Sequence, residues 1–297
     1  EESHVEYGEA GQYKNPVARE YEGRILSIRR NYLVVISLFL ILTFAYFLPK
    51  NFYYKSQSGA GDHHAMAPSA STATPVTGTP LSTDTRGLPD AKEPEMITLA
   101  PGDTYMVTAS FVKKQVGNHT LRMMAYNGSI PGPFIRVTQG GTINVVFVNE
   151  TDIDQTIHSH GVRMNNNFDG TPGVTQDVVK PGETFTYTLT FPDAGIAWYH
   201  PHTRDDIGQE LGLYGNYFVD STEPGYYNEV NREVPLVIDD ILIENGKVAA
   251  FYKEYVDHAL LGRFGNTYLV NGETDYTLGV KKGEVIRFLT TNVSNAR

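Results

Sequence analysis

Four histidines stand in two pairs with one residue between partners: His158 and His160 in "IHSHG", His200 and His202 in "WYHPH". Side chains alternate faces along a β-strand, so residues two apart point the same way, roughly 6.5–7 Å apart along the strand. A His-x-His pair therefore aims two imidazoles at one side without crowding both onto one ion. Two such pairs on adjacent strands would present four imidazoles around a cluster of metal ions. Neutral imidazole suits copper, zinc, iron and nickel, and spacing alone does not choose among them. One pair would be weak, since strand histidines often do no more than hydrogen-bond in a turn. Two pairs, each set among aromatic or glycine neighbours, make a metal site the better reading. His63 and His64 are adjacent within a flexible tether, and His4, His119 and His258 show no such spacing.

Other chemistries are poorly supplied. The chain has no cysteine. That excludes disulfides, cysteine nucleophiles, zinc-thiolate sites and a cysteine-ligated copper within these residues. There is no G-x-S-x-G, no P-loop and no dinucleotide fingerprint. A net charge of −10 argues against nucleic acid as a partner, because phosphate binding needs a basic footprint.

The histidines need strands to carry them. From about residue 96 the sequence alternates in β fashion: "TYMVTASFVKK", "GTINVVFVNE", "TFTYTLTF" and "LYGNYFVD", rich in β-branched and aromatic residues. "APGD", "QGG", "KPGE" and "TEPG" punctuate them as turns. Many short strands at regular spacing predict a Greek-key sandwich. An internal repeat is also visible. Tyr126–Thr151 resembles Val270–Ser294, each with an Asn-Gly turn, a strand, a glycine turn, a second strand and then Asn. The offset is one domain length, so the repeat reads as duplication of a whole sandwich. The first copy is expected over 95–222, and the second begins at 232 and runs incomplete to 297. Both ends read as cut, so the chain is expected to be part of a longer protein.

Ahead of the sandwich lies an apolar run from Tyr32 to Leu48, roughly 26 Å of helix and at the short end of a membrane span. The expectation is a cytoplasmic segment over 1–30, an uncleaved transmembrane anchor over 31–49 and a Ser/Thr/Ala/Pro-rich linker over 50–94. Arg24, Arg29 and Arg30 precede the run, against Lys50 and Lys55 after it. The positive-inside rule then puts everything beyond the anchor on the extracytoplasmic side.

The pieces "YNGSIPGPFIRV", "IHSHGVRMNNNFDGTPGVTQ", "KPGETFTYTLTF" and "AWYHPHTRDDIGQELGLYGNYFV" together resemble the first cupredoxin domain of multicopper oxidases, the laccase, bilirubin oxidase and metallo-oxidase group. The resemblance is dense over about 95–222 and thinner through "GRFGNTYLVNG" and "GEVIRFLTTNVSNAR". It implies an all-β fold of tandem cupredoxin-like Greek-key sandwiches. It also implies copper, with His158 on a type 2 ion and His160, His200 and His202 on a type 3 pair. The implied reaction is one-electron oxidation of a donor coupled to four-electron reduction of O2 to water. Asp169, in "NNNFDGTP", matches the family's acidic residue near the cluster, where a carboxylate can deliver protons; its bland reading is an Asp-Gly turn. Trp198 and Tyr199 are expected to pack beside the ligands, and Asp205 and Asp206 to face solvent.

On this resemblance the numbered residues carry half a cluster and no electron entry port, so the chain alone is expected to be inactive. Alternatives are a two-domain laccase completed by a neighbouring subunit, a nitrite-reductase-like enzyme, or a tethered copper-binding module without turnover. The nitrite-reductase pattern places Cys directly after the His, where this chain has Pro201. Partners are O2, an electron donor of unassigned identity and the membrane, with homo-oligomerisation left open.

Overall fold

A computed structural model describes residues 81–251, 258 and 262–296. The apolar run from Tyr32 to Leu48 and the linker up to residue 80 lie outside the described residues. Among the described residues no helix is long and apolar enough to cross a membrane.

Fourteen strands build the described structure. They are β1 (Met96–Thr98), β2 (Thr104–Val116), β3 (His119–Tyr126), β4 (Phe134–Thr138), β5 (Thr142–Asn149), β6 (His158–His160), β7 (Thr184–Thr190), β8 (Gly195–His200), β9 (Gly215–Asp220), β10 (Arg232–Ile241), β11 (Ile243–Glu244), β12 (Lys247–Val248), β13 (Thr267–Val270) and β14 (Ile286–Asn292). One short helix, α1 (Asp205–Gly208), follows the second histidine pair.

Two sheets share the main core, one in the order β3-β2-β5-β7 and the other β1-β4-β9-β8-β6. From β3 to β8 each connection crosses to the opposite sheet. Alternation explains the burial. On β7, Phe185, Tyr187 and Leu189 turn inward while Thr184, Thr186 and Thr190 face out. On β5, Ile143, Val145 and Phe147 do the same. They meet Ile135, Val137, Ala197, Tyr199, Tyr217 and Val219 from the facing sheet. Fully burying a side chain such as Phe147 is worth roughly 1.5–3 kcal/mol, so this layer fixes where β6 and β8 lie.

A third sheet, β13-β10-β14, packs on the outside of the first two. Val237, Ile241, Leu269 and Leu289 join a second apolar cluster with Met123, Phe134, Tyr214 and Phe218. Its pairing repeats that of the first sheet. β2 runs antiparallel to β3 and parallel to β5, as β10 does to β13 and β14. The Asn-Gly turns match in atomic detail. Asn127 and Asn271 both adopt positive φ, 53° and 52°. Asn127 Oδ1 accepts from the Thr108 amide and its Nδ2 donates to the Met106 carbonyl. Asn271 repeats both bonds with Val237 and Pro235.

Candidate metal centre

β6 and β8 are antiparallel neighbours in register, with His158 opposite His200, Ser159 opposite Tyr199 and His160 opposite Trp198. Alternation then sorts the side chains. Ser159 and Tyr199 point into the core, 1% and 0% exposed. Tyr199 is anchored there by donating to the Pro133 carbonyl at 2.7 Å and by ring contacts with Tyr126 and Tyr217. His158, His160, His200 and Trp198 share the other face.

The imidazoles converge. Ring centroids lie 5.5 Å apart for His158–His160, 5.4 Å for His158–His200 and 5.7 Å for His160–His200. One ligand nitrogen from each of these three lies within 4.8 Å of the others. His202 joins from the side, 5.1 Å from His158 and 6.3 Å from His200. Here the strand geometry differs from the expected i, i+2 pairing. β8 ends at His200, because Pro201 has no amide hydrogen to continue the ladder. A turn, not the strand, brings His202 to the cluster.

Two backbone carbonyls set the tautomers. His158 Nδ1 lies 2.7 Å from the Asp169 carbonyl, and His200 Nδ1 lies 2.8 Å from the Pro201 carbonyl. A carbonyl only accepts, so both Nδ1 atoms carry a proton, which in the neutral ring leaves the lone pair on Nε2. His200 Nε2 is buried and has no hydrogen-bond partner. Burial holds His200 neutral, its pKa lowered to about 4, with the neighbouring histidines adding to the effect and the Pro201 bond opposing it. Burial also lowers the pKa of the more exposed His160, helped by His158 and His202. Neutral imidazoles with free lone pairs in a common space are suited to hold a cation.

Asp169 approaches in two ways. Beyond its carbonyl bond, its Oδ1 lies 3.5 Å from His158 Nδ1, while Oδ2 accepts from the Thr171 hydroxyl at 2.6 Å. Its half-exposed side chain joins the cluster to solvent. Gly170 makes this approach possible. Its φ is +83°, and a Cβ there would stand 2.0 Å from the Ile157 carbonyl oxygen. Only glycine lets the loop lie so close against the start of β6.

Past His202, Asp205 and Asp206 are exposed, and Asp206 pairs with Arg204 at 2.7 Å. Glu210 turns inward instead. It is fully buried, ion-paired with buried Arg263 at 3.1 Å, and accepts from the Leu242 amide and the Asn295 side chain. Sequence reasoning missed this pair, for nothing distinguishes Glu210 from its solvated acidic neighbours. It also missed Thr171 and the two tautomer-setting carbonyls. His119 is exposed at the start of β3, away from the cluster, and His258 does not join it.

Comparison with known proteins adds a second line. Residues 108–224 match the family model of the multicopper oxidases. The chain is 31% identical over 179 residues to a multicopper oxidase of Staphylococcus aureus, covering 59% of this chain and 38% of that protein. It is 35% identical over 138 residues to a multicopper oxidase of Mycobacterium tuberculosis, covering 46% and 26% respectively. The crystal structure of a multicopper oxidase from Pseudomonas thermotolerans superposes with a TM-score of 0.61 at 31% identity, covering 68% of this chain and 48% of that one. The chain thus spans less than half the length of these relatives.

Proposed function

Because the chain belongs to the multicopper oxidase family, we propose that it supplies half of a copper cluster at which one-electron oxidation of a donor is coupled to four-electron reduction of O2 to water. The observation that carries this reading is the buried, unpartnered His200 Nε2, in a group whose ligand nitrogens lie within 4.8 Å of one another. A buried polar atom without a partner is costly and calls for one. The donor set is all imidazole, which suits copper, and the Nδ1 bonds to carbonyls are the outer contacts that orient metal-binding histidines.

His158, His160, His200 and His202 are the residues that would hold the copper. His158 is assigned to a type 2 ion and the other three to a type 3 pair. Bound copper would supply one-electron acceptors and a binding place for O2. The chain's own residues do the rest. Asp169 and Pro201 set the tautomers of His158 and His200 through their carbonyls and turn each Nε2 towards the shared space. The Asp169 carboxyl, held by Thr171 on one oxygen, passes protons from solvent towards the cluster with the other. The core beneath Ser159 and Tyr199 keeps both strands rigid. His160 and His202 are exposed, so this edge is left for the remaining ligands, from a later domain or a neighbouring subunit. In this reading the sandwich of 95–222 is followed by a second from 232, and the run at 31–49 anchors both outside the cytoplasm.

Copper per protein, measured by mass spectrometry after loading and desalting, tests the reading. Retention by the chain and loss in a His158→Ala/His200→Ala variant supports it. Equal copper in both overturns it. O2 uptake with phenol, Fe(II), Mn(II) or Cu(I) donors, on protein expressed from the complete gene, then separates an oxidase from a copper-holding module.

A further inference from the structure

The sheet face that carries the imidazoles has four places in a two-by-two grid. His158 and His160 fill the β6 side, and His200 and Trp198 fill the β8 side. Trp198 is the only tryptophan in the chain. Its indole lies 4.1 Å from the His200 ring with only 24° between planes, and 5.3 Å from His160 at 34°. His202 continues the stack at 29° to His200. Trp198 also packs against the second apolar cluster, to which Val237 and Leu289 of the third sheet belong. Below it on β9, the opposed residue Asn216 donates to Thr291 of β14 at 2.6 Å.

An indole offers a hydrogen-bond donor and no lone pair for a metal. At the fourth grid position it adds no ligand. It presents a flat face to two imidazoles whose edges must stay aimed at one point. His200 has a single hydrogen bond, at Nδ1, which acts at the ring edge and leaves the plane to be fixed by packing. The His160 ring has no hydrogen-bond partner among the described residues and leans on the same indole.

We propose that Trp198 is a positioning residue for the copper ligands, fixing the ring planes of His200 and His160 by stacking. The inference rests on the copper reading above and goes beyond it. An outer contact of this kind is expected to be worth roughly 10–100-fold in metal affinity. The aromatic face, not the bulk, carries the effect.

The single tryptophan makes the test direct. In the full chain titrated with Cu(II), tryptophan emission, excited where tyrosine does not absorb, comes from Trp198 alone, and a paramagnetic ion on a ring in contact with the indole quenches most of it, saturating with copper binding. Affinity is measured in parallel by competition with a chelator, and coordination by EPR. Trp198→Phe, which keeps an aromatic face, should bind within about threefold of the wild type with the same EPR signal. Trp198→Leu should lose roughly 10–100-fold in affinity and show altered hyperfine splitting. Leucine binding as tightly as wild type, with the same EPR signal, overturns the inference and leaves the copper reading standing. Copper bound without quenching of wild-type emission does the same, and needs no variant to fold. A wild-type chain that binds no Cu(II) overturns the copper reading and this inference with it.

Discussion

His158 and His200 stand directly opposite each other on β6 and β8, 5.4 Å between ring centroids, yet each turns its Nδ1 away to a carbonyl of its own loop, Asp169 and Pro201. Each ring is thus held from behind, with its other nitrogen delivered to the shared space. On the copper reading proposed above, replacing either histidine by alanine removes a ligand outright. Cu(II) affinity should fall by more than the roughly 10–100-fold that loss of an outer partner costs. Chelator competition on the two single variants checks this, and a drop confined to one of them would break the paired arrangement.

Gly170→Ala should destabilise the chain by about 2–4 kcal/mol, from a strained positive φ and the collision with the Ile157 carbonyl. Urea denaturation gives the number. An unchanged midpoint would mean that the loop does not press on β6.

Acid should weaken the metal-free fold in a defined window. His200 is held neutral, its folded pKa about 4 against an ordinary value near 6.5. Below about 6.5 the unfolded chain takes up a proton that the folded one refuses, so stability from this group is complete above that pH and declines towards pH 4. The loss is on the order of 3 kcal/mol at most. Denaturation midpoints at pH 7.5 and pH 5 measure it, and His200→Asn should flatten the difference.

Asp169→Asn separates the two contacts of that residue. The backbone carbonyl on His158 survives, so copper content should be unchanged. If the carboxyl carries protons as proposed, O2 turnover in protein from the complete gene should fall by about 100-fold or more. Steady-state O2 uptake beside metal analysis checks both halves.

The buried Glu210–Arg263 pair is expected to be costly to break from one side. Glu210→Leu or Arg263→Met should each cost about 3–5 kcal/mol, by leaving a buried group without its partner. The double variant Glu210→Leu/Arg263→Met should cost clearly less than the two single changes together. Chemical denaturation of all four proteins closes the cycle.

Much of this was legible from residue order. The threonines of β7 announced an outer face, and two His-x-His pairs announced neighbouring strands. The matching Asn-Gly turns at Asn127 and Asn271 announced a repeated pairing pattern that the third sheet carries out. What stayed hidden depends on backbone atoms and on burial. A carbonyl bond from Asp169 leaves no mark distinct from its carboxylate. Glu210 looks like Asp205 and Asp206 until Asn295 and Arg263 close over it. Trp198 reads as packing until its angle to His200 is known.

The end of β14 and the residues after it are tied by four hydrogen bonds to the stretch that follows His202. Gln209 donates to the Val293 carbonyl, Asn295 reaches both the Asp206 carbonyl and Glu210, and Asn216 holds Thr291. Sheet and imidazoles are therefore expected to melt together. Heat that frees β14 also frees the turn bearing His202, and a bound ion would raise the melting temperature of a sheet it never touches.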